Sequence, residues 1–241
     1  MIRHLSEICR RHARRACGMA IALCCLSLSF LSEAKGAAAR MTTDTITAAK
    51  AFLKMPQQDL DLLTNSMRQD MLDYMQLRDS VYKKANIYMG LSWIEQLTPD
   101  YIRVHLSDVS SLQIRLLDRK GSELPLVMAI YTVDDGNGTA DSTVSFFDND
   151  MKQLPASKFL PLPDPKNLYD IRKDSPLSLS DLEKLMPFAT ISFTVDPESG
   201  NLTGTPTSAN RLTVEQAEKV KPYLRKQLYW DWDGKRYRLR Q

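Results

Sequence analysis

Asp231-Trp232-Asp233-Gly234 has the residue types that open a calcium loop, two carboxylates and a glycine within four positions. An EF-hand loop places oxygens at positions 1, 3, 5, 7, 9 and 12 and glycine at position 6. Counted from Asp231, the glycine falls at position 4, and Lys235, Arg236 and Arg238 occupy positions 5, 6 and 8. Position 12 lies past Gln241. The stretch is better matched to a β-hairpin, because Asp-Gly suits a two-residue turn that needs positive φ. Pairing outward from that turn sets Trp232 opposite Lys235, Asp231 opposite Arg236, Trp230 opposite Tyr237 and Leu228 opposite Leu239. Leu228, Trp230, Trp232, Tyr237 and Leu239 then share one face, which either closes a core or binds glycan or protein.

The other candidates for chemistry are few. Beyond residue 36 the sequence holds one histidine, His105, and no cysteine. Histidine-rich zinc sites, cysteine–histidine dyads and disulfides are therefore not expected there. No Gly-x-Ser-x-Gly elbow, phosphate-binding loop or dinucleotide fingerprint occurs. If Ile102, Val104 and Leu106 face inward, Arg103 and His105 face outward. Pairing Val104 with Ile114 then sets Arg103 opposite Arg115 and His105 opposite Gln113. Like charges across a ladder repel. Arg103, His105 and Arg115 thus form either a solvated basic face or a site for an anion or acidic partner. Asp134, Asp135, Asp141, Asp148 and Asp150 sit between strands, where they either form turns or serve as paired carboxylates for hydrolysis. The sequence names no catalytic residue, no metal ligand and no cofactor.

The elements that must position these residues follow from periodicity. Met41–Met55 contains a short helix, with Pro56 either stopping it or starting the next one. From Gln58, Leu60, Leu63, Met67, Met71, Tyr74 and Met75 recur at steps of three and four, the signature of a helix docked on a core or offering a methionine-rich groove. Asp61, Asn65, Arg68, Gln69 and Asp73 take the polar face. Alternating apolar residues then mark five strands: Ile87–Trp93, Ile102–Leu106, Leu112–Leu116, the wholly apolar run 126–133, and Val144–Phe146. Short turn-rich joins between them imply an antiparallel meander, with one face against the helix. Pro155, Pro161, Pro163 and Pro165 make an extended connector over residues 155–176, either a domain linker or a strip laid on the surface. Residues 177–241 restart the pattern. Ser180 with Glu183 and Thr213 with Gln216 read as capping boxes, and a strand carries Ile191, Phe193 and Val195. The expected fold is α+β, an antiparallel β meander packed against helices over residues 37–154 and a second helix/strand unit over 177–241. The order hints at a degenerate duplication, although no residue-level repeat proves it.

Residues 1–36 read as a cleaved secretory signal. Five arginines precede the apolar run Cys17–Leu31, and Ala34-Lys35-Gly36 and Ala37-Ala38-Ala39 offer cleavage sites. The run is shorter than the roughly 20 residues of a membrane span. Leu23 and Cys24 stand before the two candidate lipidation cysteines, where a small residue would be expected. All four cysteines lie in this leader. It also carries six of the 32 basic and two of the 29 acidic residues, which leaves 26 and 27 and a net charge of −1 on the remainder. A near-neutral body gives no electrostatic case for nucleic acid. Contact with a membrane would come only through an uncleaved leader, and the expected location is periplasmic or secreted, the outer surface included.

"AFLKMPQQDLDLLTNSMRQDMLDYM", "LTPDYIRVHLSDVSSLQIRLL" and the terminal "WDWDGKRY" together resemble a domain-of-unknown-function family of exported Bacteroidales proteins. The resemblance implies a Gram-negative envelope or secreted location and carries over no catalytic residues. The function that residues and resemblance support is a non-enzymatic binding or scaffold module of the envelope, its partner an envelope protein or glycan. The alternative is a secreted hydrolase using loop carboxylates with His105. The leader itself is open to test. N-terminal sequencing of protein recovered from the envelope or medium should begin at Ala37 or Arg40, and an intact Met1 would overturn the cleavage.

Overall fold

A helix at the start of the body ends because Pro56 cannot continue it. This helix, α1 (Ala48–Lys54), begins at Thr47, whose hydroxyl accepts the Lys50 N–H. The computed structural model describes residues 45–77, 82–161 and 163–240. The leader, its cleavage sites and the four cysteines lie outside the described residues.

The continuous helix expected from Gln58 is interrupted. A 3-10 turn spans Gln57–Asp59, and α2 (Asn65–Gln76) starts only after Thr64 caps the Met67 N–H. Leu60 and Leu63 are buried, but on irregular backbone whose three-residue spacing mimics a helix. The Gln57 amide stabilises that backbone by donating to the carbonyls of Leu60 and Leu63, both at 3.1 Å. Arg68 also departs from expectation. It is 2% exposed rather than on the polar face, and donates to the carbonyls of Phe52 at 2.8 Å and Met55 at 2.7 Å. A cation over the last carbonyls of a helix satisfies acceptors that have no intrahelical donor. Burial pulls this guanidinium below its ordinary pKa.

Seven strands follow in an antiparallel meander whose spatial order is the chain order: β1 (Lys84–Ala85), β2 (Leu91–Leu97), β3 (Tyr101–Ser107), β4 (Ser110–Leu117), β5 (Leu126–Asp134), β6 (Ala140–Phe147) and β7 (Gln153–Leu154). The two-residue edge strands are the pair beyond the expected five. Ile102, Val104, Leu106, Leu112 and Ile114 pack under α1 and α2 as their alternation predicts. The stretch from Ile87 does not. Ile87 and Met89 lie exposed in a turn, and the buried residues of β2 are Ser92 and Ile94. The cause is Asn86, whose buried side chain accepts from Tyr88 N and Gly90 N and donates to the Leu106 carbonyl. A turn held that way resets the parity of the strand after it.

The run 126–130 is buried on both faces because the sheet is covered on both. Leu126, Met128, Ile130 and Phe146 face a second core. That core is closed by a four-stranded sheet, ordered β11-β10-β9-β8, of β8 (Ile191–Val195), β9 (Leu202–Pro206), β10 (Leu228–Trp232) and β11 (Tyr237–Leu239). Gly204 admits the Trp230 ring, since a Cβ there would lie 2.8 Å from it. Two short helices flank this sheet. α3 (Leu179–Leu185) is capped by Ser178 with Asp181, two residues before the expected box, and α4 (Val214–Val220) by Thr213 with Gln216 as expected. The proline-rich connector is a strip laid on the body, with Leu160, Leu168 and Tyr169 buried and Phe159 O accepting Tyr237 N at 2.7 Å. Residues 46–241 form one compact unit. The fold is α+β, with helices, a large sheet and a small sheet in three layers. α4 interrupts the small sheet between β9 and β10 and has no counterpart in the large one, so the topology lends the duplication no support.

The terminal hairpin forms with the expected apolar face but a longer turn. Trp232 pairs with Tyr237, Asp231 with Arg238 and Trp230 with Leu239. The Asp233 carboxylate accepts Lys235 N and Arg236 N at 2.8 Å each and so organises a four-residue loop. Those bonds, led by Arg236 N and followed by the Arg238 side chain, hold its pKa far below the usual carboxylate range.

Arg68→Ala should lower the unfolding free energy by about 2–3 kcal/mol, the scale for leaving buried acceptors unsatisfied. Gln69→Ala, one position along the same helix, should cost less than about 0.5 kcal/mol. Urea unfolding followed by circular dichroism separates the two, and equal losses would remove Arg68 from its capping role.

Candidate functional site

The small sheet covers only part of the large one, and where it stops a cleft opens. Its border is β8, the free edge of the small sheet. An edge strand exposes a row of unpaired backbone groups. Here side chains of the large sheet take them up. Ile191 N donates to Asp141 Oδ1 at 3.2 Å, Phe193 N to Ser142 Oγ at 2.9 Å and Val195 N to Gln113 Oε1 at 3.3 Å, while Gln113 Nε2 returns a bond to the Phe193 carbonyl at 3.3 Å.

Beyond that border the polar end of β3–β5 lies open as a cleft of about 240 Å³, lined among others by Arg103, His105, Ser111, Thr132, Ser192 and Thr194. Strand register explains the grouping. Trp93, His105, Ser111, Thr132 and Ser142 form one cross-strand row, and Arg103 and Gln113 begin the next. Residues paired across antiparallel strands share a face, so this row lies along the cleft side of the sheet.

A bulge between Ile94 and Gln96 makes Glu95 the extra residue of β2 and sets it between the two basic side chains. Glu95 lies 2.7 Å from Arg103 Nε and 3.8 Å from His105 Nδ1. The second distance is too long for a hydrogen bond. The His105 ring stacks on Trp93 with centroids 3.5 Å apart, and Lys83 Nζ lies 4.6 Å from the Trp93 ring centroid. Burial pulls the His105 pKa below its ordinary value and Lys83 adds to that, against the opposing pull of Glu95 and Asp108. The neutral imidazole is thereby favoured. Its Nε2 is buried with no hydrogen-bond partner.

The structure brings together two of the three residues singled out in the sequence. Arg103 and His105 line the cleft, and Arg115 does not. The β3–β4 register is two residues from the expected one, so Val104 pairs with Leu112, Arg103 with Gln113, His105 with Ser111 and Arg115 with Tyr101. The turn is tighter than the polar stretch implied, because Ser107 already pairs with Ser110 and their hydroxyls lie 2.6 Å apart. No Arg103–Arg115 repulsion exists to be offset. Arg115 is 8% exposed and forms an ion pair with Asp100, and it donates to the carbonyls of Asp100 at 3.1 Å and Glu198 at 3.2 Å. It ties the large sheet to the β8–β9 turn.

Four of the loop carboxylates organise backbone. Asp134 accepts Gly136 N, Asp135 accepts Asn137 N and Thr139 N, Asp141 accepts Ile191 N, and Asp148 accepts Asp150 N and Lys152 N. Asp134 and Asp108 also line the cleft. Sequence reasoning missed Trp93, Glu95, Gln113, Ser192 and Thr194. The available signal was a set of polar residues, Arg103, His105, Ser111, Gln113, Thr132 and Ser142, each alternating with core residues in its own strand. It also missed a larger apolar groove of about 510 Å³ between the connector and α3, whose lining includes Pro163, Pro165, Met186 and Phe188 with Glu183 as its charged group. No helix among the described residues is long and apolar enough to cross a membrane.

A family model described as "Protein of unknown function (DUF3256)" matches residues 40–237. Comparison with curated proteins finds no match. A solved structure, a domain of an uncharacterized protein from Porphyromonas gingivalis W83, superposes with a TM-score of 0.67 at 18% identity, covering 80% of this chain and 96% of that one. At that identity the likeness is one of fold.

The two arginines should separate in stability measurements. Arg115→Ala should cost about 2 kcal/mol at pH 7, less than the 3–5 kcal/mol of a fully buried pair because Asp100 is half exposed. Arg103→Ala should cost under about 1 kcal/mol, as for an exposed pair. Burial pushes the Asp100 pKa up, but the Thr98 hydroxyl and Arg115 outweigh it and hold the carboxyl below its ordinary value. Its contribution is thus complete above about pH 4 and lost as pH falls through the lower folded value. The gap between wild type and Arg115→Ala in urea should narrow across that window, and a gap that does not change with pH would assign the loss to packing.

Proposed function

The chain belongs to the DUF3256 family of proteins of unknown function, and from that premise we propose that it is a non-enzymatic binding module of the cell envelope, with the cleft between β3 and β8 as its ligand site. Its location rests on the leader: an arginine-rich start, an apolar run too short to span, and small residues after it. Export to the periplasm or beyond would place the cleft among envelope glycans and proteins.

One observation carries the choice of binding over hydrolysis: His105 and its neighbours Glu95 and Asp134 are already engaged. Glu95 is paired with Arg103, Asp134 holds the backbone of its own turn, and His105 lies flat on Trp93 with its Nε2 covered. A general base needs hydrogen-bond reach to the proton that it takes. What stays open is a set of hydroxyls, the Asp108 carboxylate and the part of the Arg103 guanidinium that Glu95 does not hold, which suits recognition of a polar partner. The apolar groove offers more area, but Glu183 alone would orient a ligand there.

Hydrogen exchange of the full mature chain should show slowed exchange over residues 103–113 and 190–195 when solubilised peptidoglycan fragments or detergent-extracted outer-membrane protein are added. Arg103→Ala should weaken the binding responsible by about tenfold, equivalent to 1.4 kcal/mol. Slowing confined to the groove around Phe188 would move the site. Turnover of ester or glycoside substrates that His105→Asn abolishes would replace binding with catalysis.

A further inference from the structure

The lining of the cleft narrows the class of ligand. Asp108 and Asp134 supply acceptors, and Arg103, Ser111, Ser192 and Thr194 supply donors. Two further hydroxyl pairs are fixed against one another, Ser107 with Ser110 at 2.6 Å and Thr132 with Ser142 at 2.8 Å. Among the described residues Ser111, Ser192 and Thr194 have no hydrogen-bond partner for their hydroxyls. A ligand that both donates and accepts, at several closely spaced points, satisfies such a surface.

Charge works against the simpler ligands. The guanidinium of Arg103 is balanced by Glu95 at 2.7 Å, so the cleft has no surplus cation for a phosphate or carboxylate, which would also face Asp108 and Asp134. A lysine or amine would meet the carboxylates but leave the serine and threonine donors without acceptors. A buried polar group left unpaired costs more than the bond it replaces is worth, which is how a hydrogen-bonding site rejects the wrong ligand. Val109 and Ala140 add small apolar surfaces in the same lining. Vicinal hydroxyls on a ring with C–H faces meet all of these conditions, and about 240 Å³ is room for one ring rather than a chain.

We propose that the cleft recognises a single neutral sugar residue of a glycan. The proposal rests on the reading of this cleft as the binding site and adds the class of ligand to it.

The test uses the full mature chain and probes of known structure: methyl glycosides of glucose, galactose, mannose and N-acetylglucosamine, inorganic phosphate, and the tripeptides Gly-Asp-Gly and Gly-Lys-Gly. Each is titrated to roughly ten millimolar, the range expected for a single ring, while the indole N–H signals of the tryptophans are followed by NMR. Trp93 reports on the cleft through its stack on His105. At least one glycoside should shift the Trp93 signal, with phosphate silent, and both Asp108→Asn and Thr194→Val should weaken that glycoside about tenfold while leaving the spectrum of the unbound protein unchanged elsewhere. Phosphate or a tripeptide shifting Trp93 while no glycoside does would overturn the sugar and leave the cleft as a binding site. No probe shifting Trp93, or glycosides perturbing only residues around Phe188, would overturn both.

Discussion

The free edge of β8 is the constraint on which the rest of the molecule depends. Three backbone N–H groups, on Ile191, Phe193 and Val195, point away from β9 toward the face of the large sheet. Buried without partners they would cost about 1–3 kcal/mol each. Asp141, Ser142 and Gln113 remove that cost, and Gln113 also occupies the Phe193 carbonyl. The side chains that satisfy the edge also fix the position of the small sheet. Its apolar residues, Phe193, Trp230 and Tyr237 among them, come to rest over Met128, Ile130 and Phe146. The sheet reaches no further across β3, since its last strand is already hydrogen-bonded where it stands. The second core and the cleft beside it therefore have one cause.

Three arginines show how differently the same side chain is used once burial is set. Arg68 pairs with no carboxylate among the described residues and satisfies the carbonyls at the end of α1. Arg115 combines a carboxylate with carbonyls from two parts of the chain. Arg103, half exposed, meets the Glu95 that the bulge delivers to it. The bidentate, always-charged guanidinium suits all three, where lysine could not reach several acceptors at once. In the sequence Arg103 and Arg115 each stand between two apolar strand residues and Arg68 lies in a helix beside Gln69 and Asp70, and nothing local separates the two that are buried from the one that is not. Burial of Arg68 depends on where α1 ends, and burial of Arg115 on the β8–β9 turn about 80 residues away.

Face assignment was legible in the sequence, and register was not. In both hairpins that matter, β3–β4 and β10–β11, the observed pairing lies two residues from the one read from the turns. A slip of two preserves which residues share a face, because side chains alternate with period two. Hence the aromatic face of the last hairpin and the core face of β3 and β4 came out right while the partners came out wrong. Side chains bonding to backbone or to each other set these turns: the Ser107–Ser110 pair in one and the Asp233 carboxylate in the other. Asn86 shows the stronger form of the same effect. Its bonds across the turn before β2 reversed the parity itself, exposing Ile87 and Met89 and burying Ser92.

The cleft residues were hard to read for a different reason. Arg103, His105, Ser111, Gln113, Thr132 and Ser142 alternate with core residues as the solvent face of a one-sided sheet would. The lower strands of the same face tell another story, for Met128, Ile130 and Phe146 are as apolar as the core beneath α1 and α2. A single face that is polar at one end and apolar at the other cannot be wholly covered or wholly wet. Something must lie on the apolar half and stop at the boundary, and Gln113, reaching from the first polar row into the backbone of β8, stands at that boundary. The change in polarity along strands β4–β6 is thus the sequence record of where the second layer ends, and a surface that begins where a layer ends is where a partner can approach.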